Sequence, residues 1–381
     1  MEVKALAPYP SEIRILTSLR YVAAIWVVFF HWTAFFPESA LASFPLVRSG
    51  FLGVDFFFVL SGFVLCHVYL ARQEAGKLDY WNFVSRRVAR IYPMHLLSLL
   101  GMVALGLAAH RLQLRFNGPW DAAEFLALPS GELPREFLAH VLMIHAWGAS
   151  DGMHFNAPSW SISAEWFVYL TFPLLTALLG PCARRPLATL VITAVAVAAY
   201  AVLSTAAAHD VFEMTWNIGV LRIVPGFLLG IALYRFGTTW SAGRKGALLG
   251  FQLSLVLAIV TAWAGAPHVF VVLSLGAMIL FAADAERHGA LKSLCGDFAV
   301  LLGEVSYSVY MIHYGLGLVL YGLLLKSAGG AGSTTALGLI LFGIALLTFL
   351  SWVAHRFFEI PSRTFLNARA NAIMSPKLAN N

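Results

Sequence analysis

Charged side chains are scarce in this chain: Asp, Glu, Lys and Arg make up only 12% of its 381 residues. A soluble domain has about 25% and needs far less apolar surface than this chain carries, so a soluble globular protein is excluded. Cysteine is scarcer still. Cys66, Cys182 and Cys295 lie far apart and form no metal-spaced or redox pair, so they point to no chemistry. A cleavage signal is also missing. The first 14 residues hold prolines and acids and run into a long apolar segment without a small-residue cut site, so a removable signal peptide is not expected.

What the chain has instead is apolar length. Hydrophobic residues make up 60% of it, with 29 phenylalanines and 11 tryptophans, and its mean hydropathy is +0.77. Aromatic bulk of this kind packs between lipid-facing helices and anchors them at headgroup depth. Ten apolar runs, near 17–36, 50–70, 91–110, 159–179, 187–207, 216–234, 247–264, 267–283, 302–325 and 334–355, are each able to cross a bilayer. A hydrocarbon core about 30 Å thick needs roughly 20 helical residues. The expected fold is therefore all-α, a polytopic membrane protein with about ten transmembrane helices. The pair that flanks Gly265, Ala266 and Pro267 shares almost no loop; read as a single re-entrant element instead of two spans, it would lower the count and move the C-terminus to the other side.

Charge sets the orientation. With the N-terminus in the cytoplasm, nineteen basic residues fall on inner segments and five on outer ones, with Arg222 inside a span. This obeys the positive-inside rule and puts both termini in the cytoplasm. The expected organisation is a cytoplasmic tail at 1–14, a membrane domain at 15–363 and a cytoplasmic tail at 364–381. The longest loop, about 111–158, faces outward. Its stretch FLAHVLMIHAW is too short to span and too apolar to float, which predicts an interfacial or re-entrant helix.

Ionisable residues inside spans carry the functional reading, because each costs about several kcal/mol to bury unless it does something there. His31, Asp55, Glu165 and Arg222 each lie five or six residues from the outer ends of their helices, or roughly 8–9 Å deep. A histidine among carboxylates and an arginine is how general-base chemistry is assembled, although buried charges also pair for purely structural reasons. His31 is the candidate base, taking a proton from a hydroxyl as it attacks an acyl carbon. Asp55 or Glu165 is placed to orient the ring, and spacing does not choose between them. Arg20 lies about 16 Å nearer the cytoplasm by helical rise and so suits an extended ligand entering from inside.

A second basic cluster supports that geometry. FVSRRVARIYP places Arg86, Arg87 and Arg90 at the cytoplasmic entrance of the third span, with Arg87 and Arg90 on one helical face. Arginine forks suit phosphates, and topogenic charge accounts for the cluster equally well. Trp160 is read as an anchor or pocket-lining residue and Ser159 as a helix cap. In VSYSVYMIH, Ser306 lies near the inner start of its span and His313 near its middle, either as a satisfied structural histidine or as a ligand contact. Glycines 50, 53 and 62 allow close helix packing, and AGGAGS at 328–333 reads as a plain turn. His67, His95, His145 and His154 are assigned no chemistry.

The segments LRYVAAIWVVFFH, GVDFFFVLSGFVL, FVSRRVARIYP, PSWSISAEWFVYL and VSYSVYMIH, in that order, resemble the membrane-bound acyltransferase family 3, typified by bacterial O-acetyltransferases of surface polysaccharides. The likeness runs from about residue 14 to 363. The family's arginine, ten intervening residues and histidine match Arg20 and His31; its paired arginines match Arg87 and Arg90; its glutamate after a Trp-Ser motif matches Glu165. The resemblance implies transfer of an acyl group, usually acetyl from acetyl-CoA, to a hydroxyl of a polymeric or lipid-linked saccharide at the bacterial inner membrane. No permanently bound cofactor, metal or nucleic-acid partner is expected; the partners are acyl-CoA, the glycan acceptor and membrane lipid. The chain resembles the family's stand-alone form. Donor contacts fall to Arg20, Arg87 and Arg90, chemistry to His31, Glu165 and Asp55, and support to Trp160, Arg222, Ser306 and His313. No serine or cysteine is obviously poised as a nucleophile, which favours direct attack over an acyl-enzyme. The competing reading is a transporter or flippase for a glycan or lipid-linked intermediate, weakened because the Arg20 to His31 arrangement has no counterpart in the second half.

Overall fold

The structure, a computed structural model, describes residues 6–114, 116, 132–150, 152–179, 186–207 and 210–378. Cys182, Arg184, Arg185 and most of the acidic part of the outer loop, including Asp121, Glu124 and Asp151, lie outside the described residues. Among those described, helices are the only regular element, and ten are long and apolar enough to cross a membrane. The spans, numbered in chain order, are Arg14–Thr33, Pro45–Glu74, Tyr80–Leu112, Ala157–Leu178, Leu187–Thr205, Gly219–Gly237, Gly243–Trp263, His268–Arg287, Asp297–Leu324 and Ser333–Ile373. The chain is a polytopic all-α membrane protein.

The pair around Gly265 is resolved as two helices. Gly265 takes a φ of +63°, open to glycine at little cost because it has no Cβ, and the seventh and eighth spans pack along one another across that turn. The third and tenth spans exceed their expected lengths most. The third begins at Tyr80, capped by the Asp79 carboxylate on the Asn82 N–H, so that Arg86, Arg87 and Arg90 ride on its first three turns. The tenth runs to Ile373, about twice the length a bilayer core requires. It carries a π-helical turn at His355–Glu359, and the helix continues through Leu378 where a polar tail is expected from sequence.

Close approach of backbones builds the middle of the bundle. The second span meets the sixth at Gly62, where a Cβ would run into the backbone of Phe227, and Gly230 meets the backbone of Val59 in the same way. These contacts pull the second and sixth spans together without a hydrophobic driving force, as van der Waals packing does in lipid. The first and ninth spans lie side by side in the core, with Trp32 fully buried and its indole N–H donating to the His313 carbonyl at 3.0 Å.

The FLAHVLMIHAW stretch does not cross. A short helix, Leu133–Val141, leads into an irregular turn that tucks against the start of the fourth span. There the Ala146 N–H donates to Ser163 Oγ and the Trp147 indole donates to the Ser163 carbonyl. Three imidazoles are buried in that junction: His140 and His145 stack at 3.9 Å, and His95 of the third span lies parallel to His145 at 5.9 Å.

Candidate active site

The four residues matched by depth do not form one cluster. Asp55 faces Arg222, which donates to both carboxylate oxygens from Nε at 3.2 Å and from Nη2 at 2.6 Å. The pair is buried, and the guanidinium lies over the rings of Trp160, Phe51 and Phe212 at 5.1, 5.6 and 5.9 Å. Asp55 is thereby spent on Arg222 and does not orient His31. Depth along a helix says nothing about rotation around it. The attraction of a buried carboxylate for a buried arginine decides the partner. Trp160 serves this pair and packs on Phe58 at 6.0 Å; Ser159 contacts His145 Nε2 at 3.2 Å.

Glu165 belongs to a second place. It accepts from Ser61 Oγ at 2.9 Å and from the Tyr169 hydroxyl at 2.5 Å, and it lines a cavity of about 210 Å³. Arg20, Arg87, Arg90, Ser306 and Tyr310 line the same cavity. The structure thus brings Arg20, Arg87, Arg90 and Ser306 together, with Glu165 beside them, while His31 is not in the lining.

The three arginines are held differently. Arg87 donates from Nη2 to the Tyr69 hydroxyl at 3.1 Å and lies over the rings of Tyr69 and Tyr169, at 5.4 and 5.7 Å, while its buried Nε has no partner. Arg90 forms an ion pair with Glu359. Glu359 is fully buried on the π-helical turn of the tenth span, and its other oxygen accepts from Ser308 Oγ at 2.8 Å and from His355 Nδ1 at 2.9 Å. Sequence reasoning missed this carboxylate because it drew the tenth span to end at residue 355. The signal was present: an acid in HRFFEIP immediately beyond an apolar run. π-turns are frequent at functional sites because they re-aim side chains within a helix.

His31 sits with a second histidine. His313 Nδ1 lies 2.6 Å from the Tyr310 carbonyl, and His313 Nε2 lies 3.1 Å from His31 Nδ1, which is also 3.0 Å from the Val27 carbonyl. A carbonyl only accepts, so the neutral His313 carries its proton on Nδ1 and has a lone pair on Nε2. Both neighbours of His31 Nδ1 are then acceptors. The neutral His31 ring therefore carries its proton on Nδ1 and its lone pair on Nε2. The rings of Phe57 and Tyr310 belong to the cavity wall, and the Tyr310 ring is 5.5 Å from His313, so the imidazole pair lies next to a wall residue of the cavity.

A family model described as an acyltransferase domain matches residues 13–356, which include the arginine cavity and the histidine pair. The chain belongs to the membrane acyltransferase family 3. It is similar to the acyltransferase MdmB of Streptomyces mycarofaciens, at 26% identity over 95% of this chain and 94% of that protein. It is also similar to protein 2 in the picA locus of Rhizobium radiobacter, at 31% identity over 41% of this chain and 78% of that protein. No solved structure matches. The chain is thus a membrane-embedded acyltransferase, related to bacterial O-acetyltransferases of surface polysaccharides. Among the described residues no group of three or more His, Cys, Asp or Glu is arranged to hold a metal ion; the imidazoles of His95, His140 and His145 lie face to face rather than converging.

Proposed function

We propose that this acyltransferase takes an acetyl group from acetyl-CoA at the cytoplasmic face of a bacterial inner membrane and transfers it to a hydroxyl of a cell-surface or lipid-linked glycan. The observation that carries the reading is the pair of contacts at His31 Nδ1, 3.0 Å from the Val27 carbonyl and 3.1 Å from His313 Nε2. With Nδ1–H directed at Val27 and His313, the lone pair on Nε2 is the ring's basic site. As Nε2 takes the acceptor hydroxyl's proton, the hydroxyl oxygen attacks the thioester carbonyl. The tetrahedral adduct then expels the CoA thiolate, which takes back a proton. The growing positive charge on His31 is met by His313 Nε2, which accepts from Nδ1. No side chain needs to become acylated in this sequence.

The donor enters along the arginines. Arg20 makes no hydrogen bond or ion pair among the described residues and lines the cavity, so its guanidinium is available to the donor. Arg87, with its unpartnered Nε, and Arg90, fixed by Glu359, offer charged donors to phosphate. Glu165 holds Tyr169, whose ring lies against Arg87, and so positions that arginine instead of acting as the base. Asp55 and Arg222 hold the second and sixth spans together beneath the acceptor side. Both termini face the cytoplasm in this arrangement, which agrees with the excess of basic residues on the inner segments.

The direct experiment is incubation of the purified protein in lipid with labelled acetyl-CoA and a cell-envelope glycan fraction. Label should pass to the glycan as an alkali-labile ester. Movement of an unmodified glycan or lipid-linked saccharide across the bilayer without label transfer would favour the transport reading.

A further inference from the structure

The cavity is too small for the ligand it is proposed to receive. At about 210 Å³ it falls below the roughly 300–1,000 Å³ that drug-sized ligands occupy, and an acyl-CoA is larger than those. It can enclose the acyl group and part of the pantetheine arm, so the nucleotide end must rest against whatever lies beyond Arg87 and Arg90. What lies there is the extension of the tenth span. Helix Ile360–Leu378 packs against the third span, Tyr80–Leu112, and Glu359 fixes its register there by gripping Arg90.

One turn past Glu359 is Arg363. The two are four residues apart and share a helical face, which brings the Arg363 guanidinium within electrostatic range of Arg90, Glu359, Glu304 and Arg87. Two other arginines on these helices are already engaged: Arg86 donates from Nε to Asn82 Oδ1 at 2.6 Å, and Arg369 lies over the Phe365 ring at 5.3 Å. Arg363 is half-buried, and among the described residues no hydrogen bond or ion pair engages it. A partly buried arginine on a helix packed along the one that carries Arg87 and Arg90, without a closed ion pair of its own among the described residues, suits an anion from solution.

We propose that Arg363 is a phosphate-binding residue at the entrance of the arginine cavity, contacting a phosphate of the donor's nucleotide end while Arg87 and Arg90 hold the part nearer the thioester. The assignment deepens the donor reading given above and depends on it. It also gives the tenth span's length a purpose, since a helix that stopped after residue 355 would present neither Glu359 nor Arg363.

The test compares two donors, acetyl-CoA and acetyl-pantetheine, which lacks the nucleotide. The protein is reconstituted in phosphatidylcholine vesicles, where no anionic headgroup competes. In Arg363→Ala the ratio of kcat/KM for acetyl-CoA to that for acetyl-pantetheine should fall about tenfold, through KM, as expected for loss of one charge-assisted hydrogen bond. Arg363→Lys should retain most of the ratio, because it keeps the charge. An unchanged ratio in a folded Arg363→Ala protein would overturn the assignment alone. So would a loss that appears only when phosphatidylglycerol is added, since it would give the site to a lipid headgroup. Failure of the unaltered protein to use any CoA thioester would overturn both the assignment and the donor reading beneath it.

Discussion

His313 Nε2 lies 3.1 Å from His31 Nδ1, and this contact fixes which nitrogen of His31 is basic. The two residues come from spans 282 positions apart in sequence. His313 touches no substrate in this account. It holds the ring and accepts the proton that a charged His31 offers. His313→Ala should therefore lower kcat by about 10- to 100-fold with little change in the donor KM. His313→Asn, whose side-chain carbonyl can still accept a hydrogen bond, should recover part of it. Equal losses in kcat and in donor affinity, with no rescue by asparagine, would mean that His313 acts in binding instead.

Glu359 and Arg90 should behave as one unit. Removing the carboxylate frees the arginine from its fixed aim, so Glu359→Gln should raise the KM for acetyl-CoA by about tenfold, close to the effect of Arg90→Ala. The double variant should be little worse than either single change, because both remove the same positioned guanidinium. Steady-state kinetics on the three variants decides it. Strictly additive losses would show that the two residues contribute separately.

Asp55 and Arg222 belong to stability. Asp55→Ala leaves a buried guanidinium without its counter-ion and should cost about 3–5 kcal/mol. Replacing both residues with apolar side chains of similar volume should restore much of that. Melting temperatures in detergent, read alongside transfer per folded molecule, separate this role from catalysis. A stable Asp55→Ala protein that has lost activity would return Asp55 to the reaction.

The Leu133–Ala149 segment carries a pH dependence. Burial brings the His140 imidazole down to about 4 from its ordinary 6.5 and holds His145 well below 6.5. The groups facing them are His95 on the third span, Glu136 on the segment itself and His154 just after it. Below 6.5 the unfolded segment takes up protons that the folded one refuses. Stability is therefore complete above about 6.5 and is lost as the pH falls toward 4. The protection of residues 133–149 against hydrogen exchange, taken relative to the intrinsic rate at each pH, should fall between about pH 7 and pH 5, and His140→Gln should flatten that dependence. Protection that stays constant over this range would contradict the neutral, buried assignment.

The spans were legible because an apolar run of about 20 residues has few alternatives to a membrane helix. Arg87 and Arg90 were legible for a similar reason, since a local i,i+3 spacing survives folding. Partners across the bundle were not. Asp55 and Arg222 are 167 residues apart and Arg90 and Glu359 are 269 apart, and helix rotation, which decides such pairs, leaves little trace in near-uniformly apolar sequence. Glu165 shows the limit most plainly: its depth matched that of His31, and its rotation sends it to Ser61 and the arginine cavity.

The central claim is that His31 Nε2 removes the acceptor's proton. Its most direct test is acetyl transfer by His31→Gln, a change that keeps a polar side chain of similar reach and removes the titratable nitrogen. The rate per folded molecule should fall by about 100-fold or more, while the protein still inserts and still binds acetyl-CoA. Transfer near the unaltered rate in that variant would contradict the account and leave His31 a structural partner of His313.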